Sequence, residues 1–430
     1  MMRVAGLGLL ALVCAACSSS SGGGSGGGSS IGGSGGVDAG TGGSGGTGAV
    51  GGNGGTGGTI LTDAGGDSGP TKVVSSLELE RVWYIASQGL NSLIDFNQTP
   101  PQVTCGPPVG ESDGFEGTGV FTNPSTGALY FYTDGRKVFN GATNQLLANG
   151  DGLSGDASAT EPALIAPKIG SDDKEFYIFT NSTNVSPPSD ISYSIMDLTA
   201  GPNGSVTVKN KPLASGNVGE ALDLLPHADG KSFWVLAYDT ASNVQAFKVD
   251  EQGVSTTPVV SPTGINGTVK RAAINHTLDY DTLVLAMNFT TDGIIATASF
   301  DRETGTVSNV QQHVNGDLGY HASFSPDGTK LYYVRGSEGW LGTGYQFDLS
   351  TNTDTMLGGT SLAAAKLAPD GKVYWATYNS DYLGVVNQPD APGAAADFVA
   401  QGLSLNGCKS GFGLPNQTAS YLEYLPPIPR

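Results

Sequence analysis

The sequence predicts an all-β fold, a single β-propeller of seven four-stranded blades, with six or eight as the alternatives. Three observations lead there. A hairpin whose turn is rich in Pro, Asp and Gly recurs six times. The turn centres, near residues 127, 172, 230, 280, 328 and 371, lie about 49 residues apart, the length of one four-stranded blade. No segment carries a convincing helical period of apolar residues.

The hairpins run in order along the chain. Asn123-Pro124-Ser125-Thr126-Gly127 leads into Leu129-Tyr130-Phe131-Tyr132. Ala163-Leu164-Ile165-Ala166-Pro167 leads, past Asp172-Asp173, into Phe176-Tyr177-Ile178-Phe179. Pro226-His227-Ala228-Asp229-Gly230 leads into Phe233-Trp234-Val235-Leu236. Ala272-Ala273-Ile274-Asn275 leads, past Asp279, into Thr282-Leu283-Val284-Leu285. Ser325-Pro326-Asp327-Gly328 leads into Leu331-Tyr332-Tyr333-Val334, and Pro369-Asp370-Gly371 into Val373-Tyr374-Trp375-Ala376. Pro presets φ, Asp bonds back to the local backbone, and Gly takes the positive φ. The flanking runs alternate with the period of a half-buried strand.

A second hairpin fills most gaps, at residues 194–198, 246–250, 298–305 and 345–349. Two hairpins per repeat make four strands. Trp83-Tyr84-Ile85-Ala86, Leu93-Ile94-Asp95-Phe96 and Ser420-Tyr421-Leu422-Glu423-Tyr424 supply a seventh blade split between the chain ends. Pairing of the N- and C-terminal strands then closes the ring and removes a sheet edge.

Residues 71–430 therefore form the propeller, and what precedes them has a different chemistry. Met1-Met2-Arg3 is followed by an apolar run over 4–13 and by Cys14-Ala15-Ala16-Cys17, the layout of a secretory signal. The run is too short for a membrane span, which needs about 20 apolar residues. Ser18 to Pro70 holds 25 of the 66 glycines and no Lys, Arg, Phe, Tyr, Trp or Met. Such a segment cannot bury enough apolar surface to order itself. Its root-mean-square reach is about 40 Å.

Cys105 and Cys408 stand near the two ends of the ring. In an oxidising compartment they are the expected disulfide, closing a loop of roughly 300 residues. The alternative is a pair of buried free thiols.

The charge balance narrows the function. There are 39 acidic residues against 20 basic ones, a formal charge of −19. That argues against nucleic-acid binding, which neutralises phosphates with Lys and Arg. It argues equally against docking on anionic lipid through a basic patch. Catalytic, metal and cofactor signatures are wanting. His227, His276, His313 and His321 make no zinc spacing. His227 and His321 stand beside the hairpins, where a residue can face a central channel, although a surface or packing place is the preferred reading of both. Asn149-Gly150-Asp151-Gly152-Leu153-Ser154-Gly155-Asp156 has calcium-like ligand types without the calcium-loop spacing, so it reads as a polar loop. Trp340, in a Gly-rich loop rather than a strand pattern, is the candidate ligand contact.

Three resemblances add to this reading. Ala15-Ala16-Cys17 resembles the bacterial lipoprotein cleavage box, which implies a signal peptide over 1–16, lipidation of Cys17 and a tether over 17–70. Ser after the Cys implies sorting to the outer membrane. The Pro-Asp-Gly hairpins resemble the WD40-like repeats of TolB-type propellers. Over residues 83–425 the chain is similar to the propeller modules of gliding-motility-associated surface proteins of Gram-negative bacteria. Leu129-Tyr130-Phe131-Tyr132-Thr133-Asp134-Gly135, Asn149-Gly150-Asp151-Gly152-Leu153-Ser154-Gly155 and Gly413-Leu414-Pro415-Asn416 carry that likeness. It implies extracellular placement and an interaction role, with no catalytic residues to carry over. The expectation is an outer-membrane-anchored monomer whose propeller binds protein or glycan partners without catalysis or cofactor. The alternatives are a periplasmic envelope-assembly factor and a lyase or hydrolase with a channel site.

Overall fold

A computed structural model describes residues 76–416, apart from short segments at 107–108, 113, 183–189, 216–217, 268, 270, 290–291, 317 and 337–340. The signal, Cys17, the tether, Trp340 and the strand expected at 420–424 lie outside the described residues.

The strands follow one another as antiparallel meanders. The first unit has three strands, Val82–Ile85, Ser92–Asp95 and Gln102–Cys105. The second and third begin with inner strands Gly119–Thr122 and Ala163–Pro167, and a single bridge from Ser205 to Ala148 joins their outer strands. The fourth begins at Val218–Pro226, the fifth at Arg271–His276 and the sixth at Leu318–Phe324. The sixth and seventh share the long strand Thr353–Leu367. Its first part pairs with Gly342–Asp348 and its last part with Val373–Thr377. Gly358 and Gly359, at φ 116° and 81°, let the chain pass from one sheet to the next.

The core lies between the units. Phe131 and Phe176 pack between the second and third, Leu164 and Val235 between the third and fourth, and Trp234 and Leu285 between the fourth and fifth. Val284 and Tyr333 pack between the fifth and sixth, and Tyr332 and Trp375 between the sixth and seventh. Trp83 and Phe96 of the first unit meet Tyr374 of the seventh edge-on at 5.7 and 5.6 Å, and Tyr84 meets Tyr132 of the second at 4.5 Å. The units thus form a closed ring, the β-propeller that the repeats predict. Each large side chain so buried contributes roughly 1.5–3 kcal/mol.

Residues 408–416 complete the closure. The segment runs beside the first, second and seventh units, with parallel bridges from Ser410 to Tyr378 and from Pro415 to Thr118. Lys409 N donates to Leu90 O and Asn416 N to Thr118 O. Cys408 is bonded to Cys105 at the end of the first unit's outer strand, so the expected disulfide forms.

The six hairpin turns form as their residues dictate. Asn123 Oδ1 accepts from Ser125 N and Thr126 N, Asp229 Oδ1 from Lys231 N and Ser232 N, and Asp327 Oδ1 from Thr329 N. Asp172 and Asp173 take φ of 51° and 55° themselves. Because the second to seventh units repeat the same strand order, these turns share one rim, and the longer connections that lead into their inner strands, with 405–416, share the other.

The disulfide constrains a loop of 303 residues in the unfolded chain. Replacing Cys105 and Cys408 by Ser is expected to lower the unfolding free energy by about 2–5 kcal/mol. The denaturant midpoint of the double variant should fall to that of the reduced wild type; equal midpoints with and without reductant would contradict this.

Candidate functional site

The inner strands present one unpaired backbone edge to the ring axis, and polar side chains from neighbouring units fill it. Asn181 Nδ2 donates to Gly219 O at 2.9 Å, Asn275 Nδ2 to Ala322 O at 2.6 Å, and Asn416 Nδ2 to Ala163 O at 2.9 Å. Ser323 Oγ accepts from Leu367 N at 3.0 Å. Glu161 spans furthest. Its Oε2 accepts from Leu222 N at 2.8 Å and from Ile274 N at 3.3 Å, on two successive units, and its Oε1 lies 3.7 Å from His321 Nε2 on a third.

Below Glu161 lies a charged layer. Asp223 Oδ2 sits 2.9 Å from His276 Nδ1, with both side chains fully buried. Lys366 Nζ reaches Glu80 Oε2 at 2.6 Å and stands 5.9 Å from the Trp83 ring. Glu80 ends the 3₁₀ turn Ser76–Glu80, which crosses the base of the axis. Leu79 of that turn packs in the cluster between the second and third units, and Leu77 in the one between the sixth and seventh. Above Glu161, at the loop rim, Glu116 accepts from Ser158 Oγ at 3.4 Å, and Glu220 Oε2 accepts from Thr160 N and Oγ1 at 3.1 and 3.0 Å.

Burial sets the protonation of this column. It raises Glu161 well above the usual carboxylate range, and the Asp223 charge pushes the same way. Burial raises Asp223 too, against the pull of His276, and raises Glu116 with help from Glu220 and against Arg271. His321 is pushed down to about 3 by burial and by the Lys366 ammonium. Burial thus favours the neutral forms of the carboxyl and the imidazole that face each other on the axis.

His321 faces the axis from the sixth unit, buried beside Glu161. His227 does not: its Nδ1 accepts from Asp229 N at 2.9 Å within the turn, and its ring stacks on Trp234 at 5.4 Å. The loop at 149–156 is bonded to the neighbouring outer strand. Lys209 Nζ donates to Asn149 Oδ1 at 3.0 Å and to Asp151 O, placing a cation where a metal would sit. Among the described residues no group of three or more His, Cys, Asp and Glu is placed to hold a metal ion. Glu161, Asp223 and His276 escaped the sequence reading. The one available signal for Glu161 was an acid directly ahead of the apolar strand Ala163–Pro167.

No family model matches the chain, and no curated protein matches it. Solved structures that resemble it include a protein from Lactobacillus plantarum, at 14% identity and TM-score 0.48 over 77% of this chain and 98% of that one. A putative 6-phosphogluconolactonase from Bacteroides fragilis resembles it at 12% identity and TM-score 0.45, over 78% of this chain and 98% of that one. TolB from Acinetobacter baumannii does so at 16% identity and TM-score 0.34, over 78% and 82%. Likeness of this extent assigns no activity.

The column makes stability pH-dependent from both sides. The folded His321 titrates near 3 against an ordinary value of 6.5, so its contribution is whole above 6.5 and is lost as pH falls toward 3. Glu161 is shifted upward, so its contribution is whole below the ordinary carboxylate value and is lost as pH rises through the folded one. Unfolding free energy measured against pH should lose part of its acid-side slope in His321→Gln and part of its fall with rising pH in Glu161→Gln. Glu161→Ala, which strands the Leu222 and Ile274 N–H groups, is expected to cost about 2–5 kcal/mol. Unchanged slopes in both Gln variants would refute the assignment.

Proposed function

We propose that the chain is a non-catalytic binding module, held at the outer membrane by a lipidated Cys17 on the 17–70 tether, and that it offers its loop rim to protein or glycan partners. The observation that carries this reading is the unequal build of the two rims. The turn rim carries the tight hairpins at Asn123, Asp229 and Asp327. Its one long connection, 387–397, is tied to the sixth unit by Tyr332 OH to Pro389 O, Gln346 Nε2 to Ala391 O and Gly393 N to Gln346 Oε1. The loop rim carries the longer segments and the aromatic side chains Phe115, Tyr378 and Phe412. Loops set on a rigid scaffold are where recognition is built.

The entry of the chain supports the same orientation. Ser76–Glu80 lies at the turn rim, where Thr122 Oγ1 donates to Glu78 O. Residues preceding it are therefore joined to the ring on the side away from the loops. A channel enzyme is the second reading, favoured by the meeting of Glu161 and His321 on the axis. It requires the column to open, because those two side chains are 1% and 6% exposed.

Protease treatment of intact cells should cut within 18–70 and release a folded domain detectable by mass spectrometry. The released domain should retain envelope or extracellular material, and Trp340→Ala should reduce that capture while leaving the melting temperature unchanged. Cleavage only after lysis would place the domain in the periplasm and overturn the outward orientation.

A further inference from the structure

We propose that the turn Ser76–Glu80 is a releasable strap sealing the axial column, and that Lys366 holds it by an ion pair which it can exchange for one with Glu161. Closed, the strap bars the axis at the turn rim. Released, it opens a way to Glu161, His276 and His321. The inference goes beyond the binding-module reading and holds whichever partner the loop rim takes.

The strap covers the ring without joining a sheet. Its two leucines reach opposite sides, Leu77 into the cluster between the sixth and seventh units and Leu79 into the one between the second and third. Thr122 Oγ1 donates to Glu78 O at 3.0 Å and accepts from Arg81 N at 3.1 Å. Glu80 turns inward and is fully buried. Its Oε2 lies 2.6 Å from Lys366 Nζ, on the seventh unit's inner strand. A carboxylate at that depth needs a counterion, so the closed position depends on Lys366.

Lys366 has other acids within reach of its charge, since it acts on both Glu161 and Asp223. The path between them is short. His321 bonds to the backbone of Ala365, the residue before Lys366, and its Nε2 lies 3.7 Å from Glu161 Oε1. That oxygen has no hydrogen-bond partner, whereas Asp223 is already held by His276 at 2.9 Å. Glu161 Oε1 is therefore the acceptor open to the ammonium when Glu80 leaves. One cation between two buried acids gives the strap two discrete states.

The exchange has a proton balance. Burial favours the neutral Glu161 carboxyl in the closed state, and pairing with Lys366 favours the ionised form. Opening therefore releases one proton from Glu161, while Glu80 enters water as an ordinary carboxylate. The open state binds fewer protons, so rising pH favours it, by up to about tenfold per pH unit between the open and closed values of Glu161. The other ionisable groups around Glu161 are Asp223 and Tyr238 of the fourth unit, His276 of the fifth and His321 of the sixth, with Glu116 and Glu220 on the side away from the strap. His321, pushed down to about 3, and Tyr238, pushed up by burial, hold one charge state across the neutral range. Asp223 keeps His276 in both states of the strap, so its titration does not follow the strap.

The full chain carries the test. Diethyl pyrocarbonate at one neutral pH should modify His276 and His321 about fivefold or more faster in Glu80→Gln and in Leu79→Ala than in wild type, read by mass spectrometry. His313, on the fifth unit's outer strand, should react at the wild-type rate in both. Hydrogen exchange of the peptide 76–81, corrected for the intrinsic rate, should show strap protection falling as pH rises above the ordinary carboxylate value, by up to about tenfold per unit. Glu161→Gln should remove that pH dependence. Equal labelling of His276 and His321 in wild type and both strap variants would overturn the seal. A rise shared by His313 would mark general loosening and overturn it as well. PH dependence that persists in Glu161→Gln would overturn the exchange of partners.

Discussion

A sheet that ends at the axis of a ring leaves a row of backbone N–H and C=O groups with no strand to pair. Each such group, buried without a partner, costs about 1–3 kcal/mol. This chain meets the constraint with side chains borrowed across unit boundaries. Asn181 serves the fourth unit's inner strand, Asn275 the sixth's, Ser323 the seventh's and Asn416 the third's. Glu161 serves two at once. Satisfying the edges and fixing each unit against the next are therefore the same set of bonds. The axis becomes polar as a consequence, and its low dielectric then drives Glu161 and His321 toward their neutral forms.

That solution separates structure from recognition. The centre of the ring is spent on holding the inner strands, and the turn rim on tight hairpins and on the entering segment. Leu77, Leu79 and Glu80 bind that segment to opposite sides of the ring, so it acts as a strap across the base. The longer connections gather on the other rim.

The parts of the fold legible in sequence are those whose chemistry is local. An Asp or Asn two residues ahead of its backbone donor, with Gly following, defines a turn wherever it occurs, and Asn123, Asp229 and Asp327 behave so. Strand alternation is equally local. The axial network is not. Glu161 and Leu222 are 61 residues apart, and Glu161 and Ile274 are 113 apart, so nothing in the neighbourhood of Glu161 announces its partners. His227 and His276 illustrate the limit. Both stand at the end of an inner strand, yet one is drawn into its turn by Asp229 and the other inward by Asp223. The shared strand Thr353–Leu367 was legible only in part, since a Gly pair reads as a break in sequence and works here as a bend.

The closing seam is where these threads meet. A ring built from repeats must join units that are distant in sequence, and loop entropy makes that the costliest contact to form. The chain concentrates its strongest means there: the Trp83–Phe96–Tyr374 group, the disulfide, two parallel bridges and closely packed glycines. Phe115, Phe412 and Tyr378 lie on the same seam at its outer end. On this architecture one segment, 408–416, is tied to the first, second and seventh units at once, so the most constrained stretch of backbone is the one that closes the ring.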